Sequence, residues 1–284
     1  MPSPDPRLDG PILLDGGMGT ALIARGLPPG ALPEEWVLSR PEEIAAVHAG
    51  HATAGTRLLL TATFNCAGPR LRARVDPARI EALCGSAERL ARGAAPGSLV
   101  AGAVGPTALA PPLGPGAPAA ELQALYARPL VALAAAGVDL LWIEGQYDVA
   151  ELRAALAAGR ATGLPTVVTF GFPEREGRLR PPGDADALAL LLAAEAGGAA
   201  AVGLNCVFPG PALDALVDEA LPRLRVPLVL KPSPGLPGAL LAPEAFAAMV
   251  RPALERGVRI AGGCCGAGPE HLRALGAALA AAGT

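Results

Sequence analysis

The chain has 284 residues, of which 51% are hydrophobic and 17% are charged, so it can bury a large apolar core and is not an intrinsically disordered polypeptide. Its formal net charge of −3 argues against a nucleic-acid partner and against an anionic membrane surface. No apolar stretch is long enough to predict a transmembrane helix, and residues 1–10 lack the apolar centre of a signal peptide, so we expect a cytoplasmic protein. An odd number of cysteines, five, favours thiol or metal chemistry over a disulfide framework.

Short runs rich in Val, Ile and Leu alternate with Ala-rich amphipathic segments along the whole chain. The apolar runs predict eight strands, within 11–17, 57–64, 98–105, 139–145, 165–172, 200–206, 227–233 and 259–265. The segments between them predict helices, the clearest at 41–55, 121–137, 148–163, 243–257 and 269–283. Several of these segments begin with Pro or Asp followed by Glu and end at Gly, which are the usual helix start and stop signals.

Near-continuous apolar strands that alternate with helices indicate an α/β protein with a parallel sheet covered on both faces. Eight such units in 284 residues favour a single (β/α)8 barrel, the TIM-barrel architecture, as one domain over residues 1–284. A doubly wound sheet of eight strands is the alternative.

In a (β/α)8 barrel the chemistry takes place where the strands end and the following loops begin. Three of the five cysteines fall at such ends, namely Cys206 after the sixth strand and Cys264 and Cys265 after the eighth. The polar residues and glycines at the strand ends are Asp15, Gly16, Gly17, Thr61, Thr63, Glu144, Asn205 and Lys231. Lys231 is either a buried charge that faces the cleft or a residue at its rim.

Three thiols at one rim suit a catalytic zinc site, because Zn²⁺ takes about four ligands and a catalytic site leaves one position open for substrate. The alternatives are that these cysteines pack as small apolar residues, or that Cys264 and Cys265 form a vicinal disulfide. Cys84, on a helix, is expected in the core, and Cys66 is expected to be structural. His48 and His51 lie in the first long helix and are expected to be solvated or packed outside the barrel.

The segment GVRIAGGCCGAGPEHLRAL (257–275) closely resembles the C-terminal zinc motif of the homocysteine S-methyltransferase family. That family includes betaine–homocysteine methyltransferase, the S-methylmethionine-dependent enzymes and the homocysteine module of cobalamin-dependent methionine synthase. Further blocks resemble the family in the same order, namely ILLDGGMGTALIARG (12–26), LLTATFNC (59–66), GAVGP (102–106), GVDLLWIEG (137–145) and VGLNC (202–206). The resemblance spans nearly the whole chain.

The resemblance implies that Cys206, Cys264 and Cys265 bind Zn²⁺ and form the catalytic centre. It also implies that Glu144 and the turn Asp15-Gly16-Gly17 hold the amino-acid end of homocysteine, since an ammonium group needs carboxylates and a carboxylate needs N–H or hydroxyl groups. Substrate contacts are likewise expected from the hydroxyl groups of Thr61 and Thr63 and from Asn205. Without the resemblance, Asp15 could equally cap a turn or helix, and Glu144 could be a surface charge.

The implied activity is transfer of a methyl group to the thiol of homocysteine, which gives methionine, from a small sulfonium or ammonium donor. The alternative is a homocysteine-binding module of a split cobalamin-dependent methionine synthase that works with a separate corrinoid protein. The chain has no D-x-H-x-x-G stretch, the corrinoid-ligating signature, so it is not expected to bind cobalamin in that way itself. A thiol-sensing or zinc-sensing module without enzymatic activity is a third alternative.

Overall fold

The computed structural model describes residues 5–182, 185–236 and 238–283, and eight parallel strands form its centre. They are β1 Ile12–Leu13, β2 Leu58–Leu60, β3 Leu99–Val104, β4 Leu140–Gln146, β5 Thr166–Phe170, β6 Ala201–Asn205, β7 Leu228–Lys231 and β8 Ile260–Ala261. Each strand pairs with the next in chain order, and β8 pairs with β1. A parallel bridge from Leu14 to Leu58 joins β1 to β2 and closes the ring. The predicted (β/α)8 barrel is therefore confirmed, and the doubly wound alternative is wrong.

Eleven α-helices surround the barrel in the described part of the chain. They are α1 Met18–Ala24, α2 Pro33–Ser39, α3 Pro41–Thr53, α4 Pro69–Arg72, α5 Ile80–Ala94, α6 Ala119–Ala136, α7 Val149–Arg160, α8 Ala187–Ala196, α9 Pro211–Ala220, α10 Pro243–Glu255 and α11 Pro269–Ala282. Six of them begin with proline, whose fixed φ and missing N–H suit the first helical turn. None of the helices in the described ranges is both long and apolar enough to span a lipid bilayer.

The core has two layers because alternate strand residues face the barrel interior and the surrounding helices. The interior holds large apolar side chains from every level of the ring, including Leu14, Leu58, Trp142 and Val229. Trp142 is fully buried, and its indole N–H donates to the Thr169 hydroxyl at 3.1 Å. Beyond Trp142, toward the carboxyl ends of the strands, the inward-facing residues become polar. This change marks the floor of the barrel mouth.

The two histidines of α3, expected to be either solvated or packed outside the barrel, are both buried, so the first of these alternatives is wrong. Neither ring nitrogen of His48, nor Nδ1 of His51, has a hydrogen-bond partner among the described residues. Burial lowers the pKa of His48 to about 4 and also lowers the pKa of His51. Both rings are therefore neutral near pH 7 and pack as part of the fold.

The lowered pKa of His48 predicts that the protein loses stability in mild acid. Between pH 6.5 and about 4 the unfolded chain binds a proton at His48 that the folded chain excludes, so the free energy of unfolding falls as the pH falls. We expect a loss of about 2 kcal/mol from this residue between pH 7 and pH 5, measured by urea unfolding. His48→Gln, which keeps His51, should remove that part of the pH dependence; an unchanged slope in the variant would contradict the assignment.

Candidate functional site

The three thiols predicted at the barrel mouth lie together in the structure. The Sγ atoms of Cys206, Cys264 and Cys265 all lie within 4.8 Å of one another. Cys206 and Cys264 are joined as a disulfide, with Cα atoms 5.4 Å apart, whereas the vicinal pair considered from sequence is not formed. The thiol of Cys265 is free and lies 3.8 Å from Cys206 Sγ. The convergence of the three residues follows from strand order, since β6 and β8 both flank β7.

The donor set fits a thiolate-bound metal once the Cys206–Cys264 pair is reduced. Four sulfur ligands at about 2.3 Å from Zn²⁺ would be separated by about 3.8 Å along each edge of the tetrahedron. The Cys206–Cys265 separation matches that edge. Cys206 and Cys265 are exposed to solvent and Cys264 is nearly buried, so an incoming ligand can reach the cluster from the mouth side.

Backbone hydrogen bonds from β7 and the residues after it hold the two thiol-bearing turns. The Lys231 carbonyl accepts from the Cys206 N–H at 3.1 Å, and the Pro232 carbonyl accepts from the Cys264 N–H at 2.9 Å. Cys206 itself has a φ of +54°, a left-handed conformation that a residue with a Cβ rarely adopts. Non-glycine residues in this region cluster at functional sites, where the surrounding structure holds them.

The turn after β1 lies directly against the thiol-bearing turn after β8, and this contact requires glycine. A Cβ at Gly16 would meet the Ala267 carbonyl oxygen, and a Cβ at Gly17 would lie 2.6 Å from the Cys264 carbonyl oxygen. The Gly17 N–H donates to the Ala267 carbonyl at 3.1 Å. The predicted substrate-binding turn is therefore adjacent to the thiols, while its contact with substrate stays a prediction.

Asp15 and Lys231 form a buried ion pair on the floor of the mouth. Lys231 Nζ donates to Asp15 Oδ1 at 2.7 Å, and both side chains are 3% exposed. The other oxygen of Asp15 accepts from the Leu60 N–H at 2.8 Å. Burial alone would lower the pKa of Lys231, but the carboxylates of Asp15 and Glu144 outweigh it and raise that pKa. The predicted ammonium contact of Asp15 stays a prediction, although both of its oxygens already have protein partners.

Glu144 is half-buried at the end of β4, and no described residue donates a hydrogen bond to its carboxylate. Burial raises the pKa of this carboxyl, and the positive charge of Lys231 acts in the opposite direction. The strand register shifts between Ile143 and Gln146, at an irregularity where Gly145 has a φ of +69°. The Gly145 N–H donates to Asn205 Oδ1 at 2.9 Å. Asn205 therefore positions the Glu144 segment in this structure, while the predicted contact of Asn205 with substrate is untested.

The hydroxyl groups of Thr61 and Thr63 form hydrogen bonds with other atoms of the protein. Thr61 Oγ1 accepts from the Ala103 N–H at 3.0 Å, and Thr63 Oγ1 donates to the Ala103 carbonyl at 2.7 Å. The two hydroxyls also lie 2.6 Å apart as a hydrogen-bonded pair, and both residues are buried. They fix the loop after β2 to β3, and a direct contact of either hydroxyl with substrate stays a prediction.

An apolar cleft of about 610 Å³ opens beside Cys265. It lies between α1, α3 and the hairpin formed by Gly235–Leu236 and Ala239–Leu240. Gly17, Thr20 and His51 line the wall nearest the thiols. The sequence did not predict this hairpin, because its four strand residues are too few to form a recognisable alternating pattern.

The two other cysteines lie in the core, as the sequence predicted. Cys66 and Cys84 are both fully or nearly fully buried and belong to the same apolar cluster. The side-chain hydrogen bond with Cys84 and burial raise the pKa of the Cys66 thiol well above its ordinary range, so it is protonated and unreactive.

Comparison with known proteins gives concordant matches along nearly the full chain. The family model described as homocysteine S-methyltransferase matches residues 12–279. The chain is 30% identical to methionine synthase of Mycobacterium tuberculosis, over 94% of this chain. It is 29% identical to betaine–homocysteine S-methyltransferase 1 of Mus musculus, over 95% of this chain. Among solved structures, the metallated form of the homocysteine methyltransferase MmuM from Escherichia coli superposes with a TM-score of 0.78 at 27% identity, over 95% of this chain and 96% of that one.

These relatives differ in length. The chain spans 24% of the mycobacterial methionine synthase and 72% of the mouse enzyme. The E. coli protein has also been solved in an oxidized form, with a TM-score of 0.79, and in an apo form.

Proposed function

The chain belongs to the homocysteine S-methyltransferase family, and from this premise we propose that it is a zinc-dependent methyltransferase that makes methionine from homocysteine and a small sulfonium or ammonium donor. The observation that carries the proposal is the convergence of Cys206, Cys264 and Cys265 at the barrel mouth, with their sulfur atoms within 4.8 Å of one another. Three thiolates would leave one position for the sulfur of the acceptor. They also make the metal a poor Lewis acid for hydrolysis, which disfavours a zinc hydrolase.

The metal would be held by the reduced sulfur atoms of those three cysteines. When bound there, zinc supplies the positive charge that keeps an acceptor thiol deprotonated at neutral pH, where a free thiol with a pKa near 8.5 is mostly protonated. The turn at Gly16 and Gly17 and the carboxylate of Glu144 would hold the amino-acid end of the acceptor. The protein then has only to align the sulfur with the methyl group of the donor, and a general base is not required.

One feature of the mouth supports a positively charged donor. The ring of Phe64 is 38% exposed and packs against Gly105, where a Cβ would meet the ring carbons at 2.5 Å. An exposed aromatic face attracts sulfonium and quaternary ammonium groups through cation–π interaction.

Methionine formation by the purified, reduced and zinc-loaded chain tests this proposal. We expect turnover with at least one of S-methylmethionine, S-adenosylmethionine and betaine, without any second protein. Chelation of the metal should abolish the turnover, and re-addition of zinc should restore it. Absence of turnover with all three donors would overturn the self-sufficient mechanism.

A second candidate function is a homocysteine-binding module that receives the methyl group from a separate corrinoid protein. The match to about a quarter of a methionine synthase supports it. Turnover that requires an added methylated corrinoid protein would favour this candidate. Equal affinity for homocysteine and cysteine, with no turnover either with or without the corrinoid protein, would instead favour a thiol or zinc sensor.

A further inference from the structure

The apolar cleft ends at the turn that carries Cys265. The N–H of Gly266, the next residue, donates to Thr20 Oγ1 of α1 at 3.0 Å. A Cβ at Gly266 would lie 2.7 Å from Leu240 Cδ2, so the hairpin packs against the same residue. Cys265 itself lines the cleft, and its Sγ lies 3.8 Å from Cys206 Sγ. A ligand in the cleft therefore reaches the sulfur atoms at which the acceptor is proposed to bind.

The cleft is large and apolar. Its volume of about 610 Å³ is within the range of about 300–1,000 Å³ that is typical of pockets for drug-sized ligands. Its walls are formed mainly by side chains of Ala, Val, Ile and Leu from α1, α3 and the hairpin. Arg25 is the one charged side chain among the described residues that line it, and its Nε donates to Glu43 Oε2 at 2.6 Å. A charged group of a ligand would thus lose its water in the cleft and find no unpaired opposite charge.

His51 is buried in the wall of the cleft with unused hydrogen-bonding capacity. It is 1% exposed and lines the cleft beside Gly17. Nδ1 is fully enclosed without a hydrogen-bond partner, and Nε2 forms no hydrogen bond with the described part of the chain either. Because burial lowers the pKa of His51, the ring is neutral near pH 7, with one donor and one acceptor nitrogen. A ligand that hydrogen-bonds with the ring would remove the cost of leaving it unpaired.

We propose that the apolar cleft binds the S-substituent of a sulfonium methyl donor, and that this substituent is a nucleoside, as in S-adenosylmethionine. A purine base is flat and uncharged, and it has ring nitrogens that accept and an amino group that donates, so it suits an apolar slot with a neutral imidazole in its wall. His51 is then a specificity-determining residue for the donor. The inference rests on the proposed function and narrows its donor, because the cleft does not match the charged groups of S-methylmethionine or betaine.

Methyl transfer from such a donor balances without a further reactant. The acceptor thiolate attacks the methyl carbon and forms a new C–S bond, and the electron pair of the broken C–S bond passes to the sulfonium sulfur. The cationic donor centre and the anionic thiolate become two neutral thioethers, methionine and S-adenosylhomocysteine. The sulfonium would lie at the cysteine end of the cleft, beside the thiolates, while the uncharged nucleoside occupies the part between α1 and α3.

A binding experiment without metal tests the site independently of turnover. The probe is methylthioadenosine, a neutral thioether that carries the nucleoside but neither an amino-acid end nor a sulfonium charge. Calorimetry on the reduced, zinc-free chain should give a dissociation constant of about 0.1 mM or lower. Ala46→Leu, which fills the cleft from α3, should weaken binding at least about tenfold. Ala45→Leu, half-buried on the same helix but not in the cleft lining, is the matched control and should bind as the wild type does.

No binding of methylthioadenosine to the wild type, or equal binding to Ala46→Leu, would overturn the proposal. The role of His51 has its own test, because His51→Phe keeps a planar ring and removes both nitrogens. We expect kcat/KM for S-adenosylmethionine to fall about tenfold in this variant and kcat/KM for S-methylmethionine to stay within about twofold. His48→Phe, which replaces the other buried histidine of α3, is the control and should change neither value. An equal change for both donors would mean that His51 is only structural.

Failure of the proposed function has a different signature from failure of the cleft. If homocysteine is methylated by no donor, while methylthioadenosine still binds and Ala46→Leu still blocks it, the function is wrong and the nucleoside site stands. If S-methylmethionine or betaine supports turnover and methylthioadenosine does not bind, the methyltransferase stands and the nucleoside site is wrong.

Discussion

Replacement of Cys206 by serine is expected to remove the bound metal and to lower methyl transfer to homocysteine by about a thousandfold or more. The serine hydroxyl is a poor zinc ligand, and the remaining cysteines cannot complete a three-thiolate site. Metal content would be measured on reduced protein by elemental analysis, and turnover with the donor that supports the wild type. The expected metal content changes from about one zinc per chain to nearly none.

The matched control for this variant is Cys84→Ser, which replaces a buried cysteine of α5 outside the mouth. It should keep the metal and the turnover and lose only some stability, because a hydroxyl group replaces an apolar thiol in the core. If Cys206→Ser kept full metal content and turnover, the three cysteines would be packing or redox residues, and the proposed chemistry would be wrong.

Replacement of Glu144 by glutamine is expected to weaken homocysteine binding by about ten- to a hundredfold without loss of metal. The amide has nearly the same shape but no charge, so it cannot form an ion pair with the ammonium group and offers only a neutral oxygen as acceptor. The exposed Glu174→Gln is the control and should bind homocysteine as the wild type does. The homocysteine dissociation constants of both variants would be measured by calorimetry on zinc-loaded protein.

The raised pKa of Glu144 adds a pH dependence with a definite sign. Burial raises this pKa, so the carboxylate takes up a proton at a higher pH than an exposed glutamate does. Homocysteine binding should therefore weaken as the pH falls through this raised pKa. In Glu144→Gln the part of that weakening that exceeds the loss caused by proton release from the acceptor thiol should disappear. A variant that kept the whole acid-side loss would show that another group is responsible.

The sequence predicted the barrel and the position of the thiols because both follow from strand order. The eight apolar runs each became a strand, and Cys206 and Cys264–Cys265 follow the two strands that flank β7, so closure of the ring brings them together. Strand order likewise predicted that Glu144 and the Asp15 turn lie at the mouth, because each stands at the carboxyl end of a strand. Glycines that allow a close backbone contact, such as Gly16 and Gly17, can be recognised in the sequence as a motif. The atoms that approach them are known only from the structure.

The partners of individual side chains could not be predicted, because they depend on residues far apart in the chain. Lys231 and Asp15 are separated by 216 positions, and only closure of the barrel shows that they form an ion pair. Thr61 and Thr63 follow a strand end at the mouth, yet their hydroxyls form hydrogen bonds with the Ala103 backbone. The burial of His48 and His51 depends on how α3 packs, which helical periodicity alone leaves undetermined.

Proton release on homocysteine binding tests the central claim, activation of the acceptor thiol at the three-cysteine site, most directly. The reduced chain would be titrated with homocysteine at pH 7, with and without zinc, in buffers that differ in ionisation enthalpy. We expect about one proton released per homocysteine bound to the zinc-loaded protein, and none without metal, because metal coordination requires a thiolate. Binding of homocysteine to the zinc-loaded protein without proton release would contradict the account.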